Sequence, residues 1–235
     1  VVSGNLAAAS IPGPGMGGVG SSLKHFAIND QETNRSNYMA TWANEQATRE
    51  VYLRAFEIAV ESARSELPYL TKDGKRETKI IRSATAMMSA QNNIGAVIGF
   101  GRYSLQTAVL RGEWGFDGVV VTDMFMETLP NARDLSMRSG SDMYMIQMPG
   151  FNAVDYDSAT ARTAMRRAIK NVAYATANSN AMNNITPGST IRKGVSAWQK
   201  GLWIYDGVIV LLCTLIITWI VRRGNKAKTR PDLFK

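Results

Sequence analysis

The sequence predicts an α/β chain: a partial (β/α)8 barrel of the TIM type, with about four βα units, followed by a single transmembrane helix. Three observations predict it. Val119-Val120-Val121 is a β-branched run ending at Thr122-Asp123, as expected of a short strand buried on both faces of a parallel sheet. Strand-like and helical stretches alternate along residues 1–186, the pattern of βαβ units. Leu202–Val221 then runs for twenty residues with Asp206 as its only charge.

Taken in order, Val19–Phe26 (VGSSLKHF) reads as the first strand and Ile80–Ser89 (IIRSATAMMS) as the second. Between them Thr48–Ser65 reads as a helix with an apolar face through Val51, Ala55, Ile58, Ala59 and Ser62. Ser104–Arg111 is a shorter helix ahead of the third strand, Val119–Asp123. Asp142–Met148 (DMYMIQM) is the fourth strand, and Thr160–Asn178 a helix with Arg162, Arg166, Arg167 and Lys170 on its wet side. A complete eight-stranded barrel takes ~250 residues, and four βα units cannot close one. Pro187–Gly194 (PGSTIRKG) marks a linker. The expected boundaries are therefore 1–186 for the partial barrel, 187–201 for the linker, 202–221 for the membrane helix and 222–235 for a basic tail.

Charge supports that division. The formal net charge is +8, but residues 222–235 hold six basic side chains against Asp232, so five of those charges belong to the tail. The rest of the chain has no basic stripe interleaved with aromatics, which argues against nucleic-acid binding. As a helix, Leu202–Val221 would span ~30 Å, the thickness of a bilayer's hydrocarbon core. Ten Val, Leu and Ile residues between Val208 and Val221 favour insertion by ~3–6 kcal/mol together, against at most ~3 kcal/mol for Asp206. Basic residues are denser after the span than before it, where Arg192, Lys193 and Lys200 lie. The positive-inside rule then predicts a single-pass cell-membrane protein, its globular part extracellular and its tail cytoplasmic. Cys213 is the only cysteine and lies within the span, so no intrachain disulfide forms. The chain opens on Val1-Val2-Ser3-Gly4 with no initiator Met, basic n-region or apolar h-region, so a fragment or a processed chain is expected.

Several motifs fail on inspection. Gly13-Pro14-Gly15-Met16-Gly17-Gly18 spells GxGxxG, but a strand follows it instead of preceding it, and Pro14 lacks a donor a phosphate would need. A flexible loop is the expected reading. One histidine and one cysteine cannot build a zinc site, and no GxSxG elbow is present. No cofactor is expected. The surviving candidates sit at strand ends: Lys24 and His25 close the first strand, Asn92 follows the second, and Asp123 closes the third, where a barrel places its chemistry. Asn29, Gln31 and Glu32 follow the first strand in a polar loop, and Asp142 opens the fourth strand. A pocket of Lys, His, Asn and carboxylate groups suits a sugar, whose hydroxyls need donors and acceptors alike.

These residues resemble glycoside hydrolase family 3, the β-glucosidase family. Lys24-His25-Phe26 followed by Asn29, Gln31, Glu32 and Arg35 is similar to its KHF-x-x-N-x-Q-E-x-x-R segment. Arg49–Glu57 resembles its helix motif, Arg111–Asp123 its strand ending in the nucleophile, and Gly140-Ser141-Asp142 through Met148-Pro149-Gly150 its G-x-D-x-x-MPG. The likeness covers roughly residues 3–183. It implies a retaining mechanism in which Asp123 attacks the anomeric carbon while Lys24 and His25 bind hydroxyls in the first subsite, with Asn92 at a matching position. It also implies that residues 1–10 are the helix after the barrel's fourth strand, that the first half of the barrel is missing, and that the proton donor belongs to a separate sandwich domain also missing here. Two departures bear on substrate preference: Met124 stands where the family usually has an aromatic, and Gln91 where it has Tyr or Phe. The N-acetylglucosaminidase branch has a second histidine soon after KHF. Asn29–Glu32 has none, which favours a glucosidase-like member. The expected function is a membrane-anchored glycosidase trimming oligosaccharides at the cell surface, with the chain alone inactive. The rival is a non-catalytic carbohydrate-binding or scaffold protein. Should the proton come from within the chain, Glu32 and Glu127 are the candidates.

Overall fold

The computed structural model describes residues 1–35, 39–124, 132–145, 155–182, 190 and 194–229. The chain divides into two units, Val1–Asn184 and Ile185–Lys235.

The first unit opens with α1 (Val2–Ser10) and the short α2 (Pro12–Met16). Proline fits the opening turn of α2 because the first helical N–H groups have no intrahelical acceptor. This turn replaces the flexible loop expected of Gly13–Gly18. A Cβ on Gly15 would lie 2.1 Å from Ser65 Oγ, so only glycine seats the turn that closely, and Ser65 Oγ donates to Pro12 O at 3.1 Å. β1 (Ser21–Phe26) and β2 (Ala40–Thr41) follow. Asn44 caps α3 (Glu45–Ala47) by accepting from Ala47 N–H at 2.8 Å, and the helix continues as a π-helical stretch, Thr48–Leu53, into α4 (Arg54–Ser62). The buried face is Leu53, Ala59 and Val60, whereas Val51 and Ser62, expected on it, are exposed. Each π turn takes up an extra residue, which rotates the face by ~100° relative to 3.6-residue periodicity.

The strand expected over Ile80–Ser89 is two strands. β3 (Arg64–Leu70) pairs antiparallel with β4 (Arg76–Arg82), and β5 (Ala84–Ser89) starts beyond a bend at Ser83. The hairpin turns at Asp73-Gly74, where Gly74 has φ of 76° and Gly74 N–H donates to Thr71 O at 3.0 Å. β6 (Asn93–Ile94) and β7 (Val97–Ile98) join β2 in a small sheet. The helix before the third strand is π-helical and runs over Ser104–Glu113. β8 (Val119–Met124), the unanticipated α5 (Ala132–Ser139), β9 (Met143–Met145) and α6 (Ala159–Ala177) complete the unit. Residues 146–148 of the fourth expected strand, with Met148-Pro149-Gly150, lie outside the described residues.

The four main strands form one parallel sheet in the order β1-β5-β8-β9, with Leu23 beside Met87, Met87 beside Val120 and Val121 beside Met143. The α/β class with a parallel sheet therefore holds. Phe26, Met87, Leu110, Phe116 and Val120 are fully or almost fully buried between sheet and helices. Phe26 meets Phe56 and Trp114 edge-on, with ring centroids 5.3 and 5.7 Å apart. Each such side chain removed from water contributes about 1.5–3 kcal/mol, which anchors the end of β1 firmly. On α6, Arg162, Arg166 and Lys170 are exposed as expected, but Arg167 turns inward and donates to Met137 O.

The second unit contains α7 (Ala197–Thr229), one continuous helix that starts within the expected linker. Every residue from Leu202 to Val221 is exposed, and Ala197–Lys226 is long and apolar enough to cross a membrane. Residues 187–189, 191–193 and 230–235 of the expected linker and tail lie outside the described residues.

Candidate active site

In β8 the inward positions are taken by Val120 and Thr122, both fully buried, and the strand ends with the Asp123 side chain 8% exposed. Asp123 Oδ1 accepts the N–H of Met124 at 2.8 Å, which fixes the carboxylate plane. Its other oxygen, Oδ2, faces two cationic or protonatable groups: His25 Nε2 at 4.0 Å and Arg35 Nη1 at 3.5 Å. One oxygen tied to the backbone and one open toward donors is an arrangement in which a carboxylate can approach an electrophile.

His25 comes from the end of β1, next in sequence to the fully buried Phe26, and the Lys24-His25 and Phe26-Ala27 peptide bonds are cis. Lys24 is exposed on the same strand and forms no ion pair within 4.0 Å among the described residues. The loop leaving β1 is pinned twice. Ala90 N–H donates to Phe26 O at 2.7 Å, and Asn92 Nδ2 donates to Ile28 O at 2.6 Å. Ile28 has φ of 60°, a region where a β-branched residue is strained by about 1–3 kcal/mol, so a clamp there has a purpose. Asn92 is itself buried, and its Oδ1 has no hydrogen-bond partner among the described residues.

The same loop delivers Arg35, whose place beside Asp123 sequence reasoning missed. It is the final residue of the KHF-containing motif, but nothing in its spacing shows that the loop folds back over β8. Glu32 lies on that loop between Asn29 and Arg35. Glu127 lies outside the described residues.

Asp142, expected in the same pocket, is elsewhere. Its N–H donates to Val120 O at 2.7 Å, and its Oδ2 accepts from Val120 N–H at 2.8 Å and Arg111 Nη2 at 2.6 Å. Its Oδ1 accepts from Asn171 Nδ2 at 3.0 Å, and the side chain is 0% exposed. Val120 precedes Asp123 by three residues, so Asp142 sits ~10 Å back along the strand direction, at the entry end of the sheet. Burial pushes the Asp142 carboxyl above the usual aspartate range, opposed by Arg111 and the two N–H donors. Burial likewise lowers the Arg111 guanidinium, opposed by Asp142. Asp142 is a structural ion-pair partner tying β8 to β9 and α6. The correction follows from strand direction: a residue that opens a parallel strand lies opposite those that close its neighbours.

The chain is similar to known glycosidases in both sequence and fold. It is 30% identical over 184 residues to a β-glucosidase of Ruminococcus albus, matching 73% of this chain and 17% of that protein. It is 34% identical over 144 residues to an exo-α-(1→6)-L-arabinopyranosidase of Bifidobacterium longum, 61% of this chain and 16% of that one. Its relatives are glycosidases, which hydrolyse O-glycosyl bonds. Among solved structures, β-glucosidase 3B of Thermotoga neapolitana in complex with α-D-glucose superposes with a TM-score of 0.58 at 26% identity, covering 77% of this chain and 24% of that chain. The GH3 β-glucosidase of Bifidobacterium adolescentis gives a TM-score of 0.57 at 26% identity over 80% of this chain and 25% of that chain. No family model matches the chain. The chain thus spans about a sixth of the length of the curated relatives it matches.

Proposed function

We propose that this chain is part of a retaining glycoside hydrolase of family 3, β-glucosidase-like, and supplies the second half of its (β/α)8 barrel. Asp123 is the nucleophile. Its Oδ2 attacks the anomeric carbon as the glycosidic C–O bond breaks, giving a covalent glycosyl-enzyme that water then hydrolyses. Lys24 and His25 bind sugar hydroxyls, and Arg35 lies beside the nucleophile. Asn92 holds the loop that carries Arg35, in addition to any sugar contact through its open Oδ1. Retaining chemistry needs a carboxylic acid about 5–5.5 Å from the nucleophile to protonate the leaving oxygen, and in this reading a sandwich domain provides it. Leu202–Val221 anchors the protein in the cell membrane with the globular part outside.

The observation that carries the reading is the Asp123 carboxylate, at the C-terminal end of a parallel strand and flanked by His25 at 4.0 Å and Arg35 at 3.5 Å. The relationship to β-glucosidases in sequence and fold supports it. The rival, a sugar-binding protein without turnover, draws on Met124, which leaves the aromatic position beside the nucleophile to an exposed thioether.

The test uses the complete protein and an activated 2-deoxy-2-fluoro-β-glucoside. The expected result is a covalent label on the peptide containing Asp123 and none in Asp123→Asn. Turnover of an aryl β-glucoside should fall by several orders of magnitude in that variant, each tenfold corresponding to ~1.4 kcal/mol of barrier. A label on another carboxylate refutes the assignment. Glucose binding without label or turnover establishes the rival.

A further inference from the structure

Between Asp123 and the exit of β1 lies a line of hydrogen-bonded side chains. Asn29 Nδ2 donates to Glu32 Oε1 at 3.0 Å, and Arg35 Nε lies 2.9 Å from Glu32 Oε2. Arg35 N–H also donates to Glu32 O at 3.2 Å, closing a turn that brings the two side chains together. Arg35 then extends Nη1 to Asp123 Oδ2 at 3.5 Å. Each Glu32 oxygen faces an N–H donor, so the carboxylate is occupied as an acceptor. Its other side is open to water: the Glu32 side chain is 69% exposed and that of Arg35 18%.

We propose that Glu32, held by Asn29, is a positioning residue that aims Arg35 at Asp123, and that it is not the proton donor. The inference rests on the reading of Asp123 as nucleophile. A guanidinium is a rigid planar fork at the end of a long flexible stem. Fixing its Nε edge on Glu32 leaves the terminal nitrogens as the part that can meet Asp123, and it confines the stem to rotamers that reach it. The origin of the line is fixed as well, because Asn92 clamps Ile28 immediately before Asn29. An exposed ion pair contributes little to stability, so its purpose should appear in catalysis and not in folding.

The test measures kcat and KM in the complete protein for a dinitrophenyl β-glucoside, which leaves without protonation, and for an alkyl β-glucoside, which does not. Crystal structures of the variants accompany the kinetics. Glu32→Ala should lower kcat about 10–100-fold on both substrates, ~1.4–2.8 kcal/mol at ~1.4 kcal/mol per tenfold. Its unfolding midpoint should stay unchanged. Glu32→Gln, whose amide oxygen still accepts from Arg35 Nε, should recover most of the loss. Glu32→Ala combined with Arg35→Ala should be no slower than Arg35→Ala alone. In the Glu32→Ala structure the Arg35 guanidinium should leave Asp123. Loss far greater on the alkyl glucoside than on the dinitrophenyl glucoside, with azide speeding turnover of the latter by capturing the glycosyl-enzyme as a glucosyl azide, and with disappearance of the basic limb of the pH profile, would make Glu32 the acid and overturn the proposal. An unmoved Arg35, or a change in kcat under twofold, would overturn it too. If the wild-type protein fails to turn over while Arg35 still swings away in Glu32→Ala, the glycosidase reading falls and the positioning role stands.

Discussion

Replacing Asp142 by alanine tests whether this carboxylate is structural or part of the sugar pocket. Its side chain is 0% exposed and accepts from Arg111 at 2.6 Å, Val120 N–H at 2.8 Å and Asn171 at 3.0 Å. Arg111, 11% exposed, would keep its bonds to Gly118 O and Gly140 O, both at 3.0 Å, but would lose its only countercharge within 4.0 Å among the described residues. Removing one partner of a buried ion pair destabilises by about 3–5 kcal/mol, because the other charge stays buried and uncompensated. Against a typical total of about 5–15 kcal/mol, that is a large fraction. Urea unfolding is the assay. With m of about 1–3 kcal/mol/M, the midpoint should drop by roughly 1–5 M. Replacing both partners by apolar residues, Arg111→Met with Asp142→Leu, should recover much of the loss, because neither charge is then stranded. A midpoint within about 0.3 M of wild type, coupled with loss of glycoside binding, would refute the assignment and return Asp142 to the pocket.

Two other outcomes are expected. Arg49 donates to both Glu113 oxygens, at 2.6 and 3.0 Å, and this holds the Glu113 carboxyl below its usual 4.5. A lowered folded-state value means that stability from Glu113 is present above pH 4.5 and is lost as pH falls through the folded value. Glu113→Gln should therefore cause a small loss of stability at neutral pH that disappears in acid, measured as unfolding midpoints across a pH series. Truncation after Ser196 should release the protein from membranes in a flotation assay; a truncated form that still floats would place the anchor elsewhere.

Much of the parallel sheet was legible because strand-like and helical stretches alternate along the chain, and its central strands are largely apolar runs with polar ends, a pattern that covalent neighbours carry. Val119–Asp123 is the clearest case, and its closing carboxylate was visible for the same reason. The hairpin was not, although Asp73-Gly74 signalled its turn, because Ile80-Ile81 and Ala84–Ser89 read as one strand interrupted only by Arg82-Ser83. The face of the first long helix was misjudged because Thr48–Leu53 is π-helical, and 3.6-residue counting passes straight through it. The structure also gave Asn92 a loop to clamp, through a contact with Ile28 made across 64 positions of chain.

Sequence by itself determined the candidates: a carboxylate after a buried strand, a Lys-His pair after another, an apolar span long enough for a bilayer. Only tertiary structure decided which of them meet. Asp123 and Asp142 both flank strands of one sheet, and parallel pairing sends them to opposite ends, one toward His25 and the other into a salt bridge with Arg111. Arg35 reaches Asp123 across 88 positions of chain because a clamped loop folds back over the sheet. Local periodicity records a residue's own strand or helix. The partner across a sheet depends on direction, register and loop path, which are settled by the packing of the whole unit.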